Sequence, residues 1–317
     1  MGILENILII VFLVLVLIFF TRVFIKSLLN ISFYFNFSDF IISFIFGGIA
    51  TSLPEFLFGL QSSLKKVSNL SLGNIIGANF NDVTLVIALS LIFNLLQGRN
   101  SYQELKVSTK EFLATFLVII TPFIVALKGK FGIFESIVCL ILFSLYLYYI
   151  FKENKFEKLA KKEIKFKEFF QSIIYLLISL IILIISSYLI VSRVKFLVEI
   201  FGISSFAFGA LLLSFGTTLP ELIFSYQTLK ENLVSFAFGN IFGSLVFNSN
   251  FILALNGIIN KFYIESSAKL LINILLLSVA IIFNFYFLKY KREPLSSALF
   301  LISLWLLFAV LNFIFLF

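Results

Sequence analysis

Apolar residues fall in long unbroken runs rather than in the alternation of a half-buried strand or the stripe of an amphipathic helix. Runs of bilayer-crossing length occupy about residues 4–21, 40–63, 70–96, 112–127, 131–151, 169–191, 202–226, 233–257, 268–288 and 295–315. The pattern predicts an all-α polytopic membrane protein of ten spanning helices. The fourth run is the shortest, and Gly129 and Gly132 blur its boundary with the fifth. The segment Lys152 to Glu168 holds seven Lys and four Glu and sits at the midpoint of the chain. It divides the sequence into five helices over 1–151, a charged linker over 152–168 and five more helices over 169–317.

Composition agrees. Of 317 residues 61% are hydrophobic and 13% charged, against roughly 25% charged in a soluble domain. The net charge of +8 gives no reason to invoke nucleic acid, because the bases lie in short segments between apolar runs. With the N-terminus outside, 16 of the 24 bases fall on the inner side, so both termini are expected outside and the linker in the cytoplasm of a cell-membrane protein. Its lysines then meet anionic lipid headgroups. Glu5 precedes the first run and Arg22 and Lys26 follow it, the reverse of a signal peptide. The absence of His and of a nucleophile–base pair argues against an enzyme, and Cys139 reads as a small buried hydrophobe.

The informative feature is an ungapped internal match at an offset of 166 residues. Thr51-Ser-Leu-Pro-Glu55 matches Thr217-Thr-Leu-Pro-Glu221, and Gly73-Asn-Ile-Ile-Gly77 matches Gly239-Asn-Ile-Phe-Gly243. Ten of 32 positions are identical between 51–82 and 217–248, including Thr, Pro, Glu, Gln, Gly and Asn. Each copy sits in the second and third helices of a five-helix half. Five is odd, so the halves enter the bilayer in opposite senses and form an inverted repeat.

The residue types repeated in the two copies suit a cation. Glu55 and Glu221 are carboxylates inside apolar helices, where an unpaired charge costs several kcal/mol. Thr51 and Ser52, and Thr217 and Thr218, place hydroxyls on the same side as the acid. Pro54 and Pro220 lack an N–H and free a carbonyl near Ala50 and Gly216, as in the broken helices of ion sites. Asp82 and Asn248 each follow their glutamate by 27 residues. Three carboxylates, an amide, hydroxyls and carbonyls make an oxygen-only shell fit for calcium, sodium or magnesium. The paired glycines suit close helix packing. Asn81 competes with Asp82 for the central position, whereas Asn94, Asn273, Asn284, Asn312 and Trp305 read as packing residues and Glu135 as a pairing or interfacial residue.

With these motifs the chain resembles the cation/calcium exchanger superfamily, in particular its prokaryotic sodium/calcium exchanger branch. The family signatures run roughly G-[TS]-S-x-P-E and G-N-x-x-G-S-N-x-x-[ND]. The resemblance implies a secondary antiporter that exports calcium in exchange for sodium by alternating access, the first and sixth helices sliding over a static core. It implies Glu55 and Glu221 as calcium ligands with Thr51 and Thr217 beside them. Ser52, Thr218, Ser244, Asp82 and Asn248 would line the sodium sites or the centre. No cofactor is implied; the partners are calcium, sodium and membrane lipid. Calcium/proton exchange on the same fold is the alternative. Three positions depart from the signatures: Ala78 stands where Ser is usual, Leu245 replaces the Asn represented by Asn79, and the acid of the Asp82/Asn248 pair lies in the first copy.

Overall fold

The computed structural model describes residues 3–35, 45–97, 109–153, 164–230, 234–291 and 293–316. The centre of the linker and the first residues of the second predicted span lie outside these. Among the described residues nine helical stretches are long and apolar enough to cross a membrane. The second predicted segment enters at Ile45 as a π-helical turn over Ile45–Ala50 and continues as a short helix.

The first half comprises α1 (Ile3–Tyr34), α2 (Leu53–Leu64), α3 (Ser68–Asn81), α4 (Ile87–Leu96), α5 (Thr109–Ala126) and α6 (Ile133–Glu153). The second comprises α7 (Phe166–Phe201), α8 (Ser205–Phe208), α9 (Ser214–Thr217), α10 (Leu219–Lys230), α11 (Val234–Val246), α12 (Leu253–Ile259), α13 (Ser267–Tyr290) and α14 (Pro294–Ile314). Two-residue strands β1 (Lys130–Phe131) and β2 (Phe262–Tyr263) pair antiparallel and tie the halves together at one end.

Two helices are much longer than their apolar runs. The runs end near residues 21 and 191, yet α1 has 32 residues and α7 has 36. Hydropathy marks only the part that must sit in hydrocarbon, while the helix carries on through Arg22, Lys26, Arg193 and Lys195. At 1.5 Å per residue each spans roughly 50 Å, more than the ~30 Å of hydrocarbon. Gly202, in the left-handed region at φ 61°, ends α7. The pair runs antiparallel: Tyr34 stacks on Phe169, Asn30 donates to Ser172, and Arg193 at the opposite end donates to Asn6. Lys65, closing α2, donates to the Tyr188 carbonyl at 2.9 Å and to the Ser192 hydroxyl, fastening α7 to the core.

The core is built around α3, every residue of which from Leu70 to Asn81 is buried. Its glycines allow this. A Cβ at Gly73 would lie 1.9 Å from the Phe206 carbonyl oxygen, and one at Gly77 would lie 2.3 Å from that of Ala210. The second copy mirrors the contact, since a Cβ at Gly48 would lie 3.1 Å from the Gly243 backbone. Cys139 is buried in this core, as expected.

Candidate ion-binding site

Each TxLPE motif sits at a helix break. The π-helical turn ending at Ala50 gives way to a turn at Thr51 and Ser52, and Pro54 opens α2, where its missing N–H costs nothing. In the second copy a π-helical turn over Gly209–Leu213 leads into α9, which ends at Thr217, and α10 begins at Leu219. The partner segments are irregular too: Asp82 opens a π-helical turn over Asp82–Val86, and Asn248 lies in another over Phe247–Ile252. Four such turns at two pairs of matching places widen the backbone where polar side chains gather, a common feature of functional sites.

All nine predicted site residues are buried: Thr51, Ser52, Glu55, Asp82, Thr217, Thr218, Glu221, Ser244 and Asn248. They divide into two sets. Thr51 donates to Asn240 Oδ1 at 3.0 Å and lies 3.2 Å from the Ser244 hydroxyl. Thr217 donates to Asn74 Oδ1 at 3.2 Å, and Thr218 donates to the Ser214 carbonyl at 2.7 Å. Those hydroxyls are engaged. The second set has oxygens with no hydrogen-bond partner: both of Glu55, both of Glu221, Oδ1 of Asp82, Oδ1 of Asn248 and Oγ of Ser52.

Thr51 lies within hydrogen-bond distance of Asn240 Oδ1, and Thr217 of Asn74 Oδ1 and the Ser214 carbonyl, and no hydrogen bond reaches the oxygens of either glutamate. No basic side chain pairs with these acids among the described residues. Leaving so many acceptors dry costs about 1–3 kcal/mol each, and more for a charge. A cation, with no proton to place and freedom to take several oxygens, removes that cost. Among the described residues no three acids are grouped closely enough to hold a metal ion by carboxylates alone. The unpartnered set is acids supplemented by neutral oxygen, which lowers the charge density.

Sequence reasoning missed Asn74 and Asn240, which hold the two threonines from the opposite repeat. The repeated Gly-Asn of 73–74 and 239–240 was the available signal. Trp305 is not simply packing: its indole N–H donates to Asn81 Oδ1 at 2.9 Å, and Asn81 Nδ2 turns to the Ser214 and Thr218 hydroxyls at 3.2 and 3.5 Å. Asn81 is thereby satisfied away from the acids, and Asp82 keeps the unpartnered oxygen. Asn273 and Asn312 exchange hydrogen bonds and Asn284 donates to the Val83 carbonyl, as packing residues do. Asn94 departs from that expectation, its buried amide having no partner. Glu135 accepts from the Gly132 N–H at the start of α6.

Two inverted five-helix repeats closed around buried acids at matching helix breaks define a polytopic membrane antiporter fold. The model of the sodium/calcium exchanger protein family matches residues 5–152 and 171–314, and the chain belongs to that family. It is 31% identical over 211 residues to the membrane protein MJ0091 of Methanocaldococcus jannaschii, covering 67% of this chain and 68% of that one. It is 23% identical over 283 residues to the sodium/calcium exchanger MaX1 of Methanosarcina acetivorans, covering 78% and 80%. Its fold matches the sodium-calcium exchanger NCX_Mj with a TM-score of 0.65 at 24% identity, over 96% of this chain and 98% of the other. MaX1 and NCX_Mj are both sodium/calcium exchangers.

Proposed function

We propose that this chain exports calcium in exchange for sodium by alternating access at one mid-membrane site held by Glu55 and Glu221. The observation that carries the reading is the pair of buried carboxylates, at matching breaks of two repeats, whose four oxygens have no protein partner. Calcium takes six to eight oxygens and its charge offsets two carboxylates. The unpartnered oxygens of Glu55, Glu221, Asp82, Asn248 and Ser52 supply such a shell together with backbone carbonyls freed at the breaks. Sodium ions use the same carboxylates with the hydroxyls of Thr51, Thr217, Thr218 and Ser244, so the two ions compete. The long α1–α7 pair, lying outside the core, is the element whose movement opens one side and closes the other. The relatives named as sodium/calcium exchangers support this ion pair.

Calcium titration of the purified protein at rising sodium tests the site. Sodium should displace calcium, and Glu55→Gln and Glu221→Gln should each abolish calcium binding without lowering the melting temperature. Near-normal calcium affinity in either variant would remove that residue from the site.

One observation favours a second reading, calcium/proton exchange. Ala78 supplies no hydroxyl at the repeat counterpart of Ser244, whereas Asp82 brings an acid able to carry a proton. Calcium flux driven by a pH gradient without sodium would establish it.

A further inference from the structure

Resting on the proposed ion site, the geometry assigns Asn79 a positioning role: it turns the Asn248 amide so that oxygen rather than N–H2 faces the cation. An amide side chain presents either an acceptor or a donor, and only the acceptor can ligate a cation. Which one faces the site is fixed by a chain of hydrogen bonds with a single consistent direction. It begins at the Leu245 carbonyl, which can only accept. Ser249 gives its hydroxyl proton to that carbonyl at 2.7 Å, so its oxygen is left as an acceptor. Asn79 Nδ2 lies 2.8 Å from the Ser249 hydroxyl and 3.3 Å from the Leu245 carbonyl and must donate to both. Asn79 Oδ1 then points the other way and accepts from Asn248 Nδ2 at 3.1 Å. That leaves Asn248 Oδ1, buried and without a protein partner, for the ion. Turning either amide over would set two acceptors, or two donors, against each other in a dry interior.

The repeat supplies an independent observation. The counterpart of Asn248 is Asp82, which offers oxygen whichever way it turns and needs no orienting partner. The counterpart of Asn79, the position from which Asp82 would be oriented, is Leu245. The orienting amide occurs only in the copy facing an amide. The departure at Leu245 and the placement of acid and amide between the copies are therefore one feature.

Calcium titrations of four purified full-length proteins test the assignment: wild type, Asn79→Leu, Asn248→Asp and the double variant. With Asn248 present, Asn79→Leu should lower calcium affinity on the order of tenfold, because the amide is free to show its N–H2 to the ion. In the Asn248→Asp background the same change should cost nothing, or should improve affinity by removing the Asn79 oxygen that opposes the new carboxylate. Asn79→Ala serves as a second variant if leucine prevents folding, judged by melting temperature and elution volume. Equal losses in both backgrounds, or no loss beside Asn248, would overturn the positioning role while leaving the ion site in place. Wild-type calcium binding that survives Glu55→Gln would instead remove the site itself, and with it this role.

Discussion

Thr51 and Asn240, 189 residues apart in the chain, are joined by a 3.0 Å hydrogen bond. Thr217 and Asn74 form its repeat image at 3.2 Å. In each bond the threonine comes from one copy and the asparagine from the other, so the hydroxyl beside each carboxylate is held by the opposite half. The repeats are interlocked at the site, and neither builds it alone.

That interlock predicts an energetic coupling. Thr51→Val and Asn240→Leu should each weaken calcium binding, and the double variant should lose less than the sum. The expected coupling is about 1 kcal/mol, a buried neutral hydrogen bond. Additive losses would show that the bond does not shape the site.

Trp305 should act on sodium through Asn81. Trp305→Phe keeps an aromatic ring and removes the N–H that holds Asn81 Oδ1. The freed amide no longer has a fixed direction toward Thr218. Half-saturating sodium should rise severalfold while calcium affinity stays within about twofold, and stability should fall by about 1–3 kcal/mol for the orphaned acceptor. Unchanged sodium dependence would make Trp305 a packing residue after all.

The ten-segment plan and the two acidic motifs were legible because hydrocarbon demands unbroken apolar runs and because TxLPE recurs at a fixed offset. Partners were less legible. Asn74 and Asn240 meet Thr217 and Thr51 only when the halves interleave, and spacing within one half carries no trace of that meeting. Trp305 looked like packing because its ring is apolar, and its single N–H matters only once Asn81 is placed beside it. Hydropathy also stopped at Arg22 and Lys26, although α1 continues past them to Tyr34. A basic residue ends a membrane-buried stretch without ending a helix.

Ala78→Ser tests the departure in the first copy. Ser244, its counterpart, lies 3.2 Å from Thr51, whereas Ala78 offers Thr217 no hydroxyl. The added oxygen should lower half-saturating sodium severalfold and steepen sodium dependence. No change would show that position 78 does not face the ion path.

The distribution of bases predicts an orientation that labelling can read. In a Cys139→Ala background, cysteines at exposed Lys130 and exposed Lys152 should react with an impermeant thiol reagent from opposite sides, Lys130 from outside. Labelling of both from one side would contradict a membrane-spanning α6.

The central claim is exchange of calcium for sodium through Glu55 and Glu221. The most direct measurement is radiolabelled calcium uptake into proteoliposomes loaded with sodium and diluted into sodium-free buffer, at equal pH on both sides. The wild type should accumulate calcium only while the sodium gradient lasts, and Glu55→Gln and Glu221→Gln should stay at the level of empty liposomes. Uptake that ignores the sodium gradient, or that persists in both glutamine variants, would contradict the account.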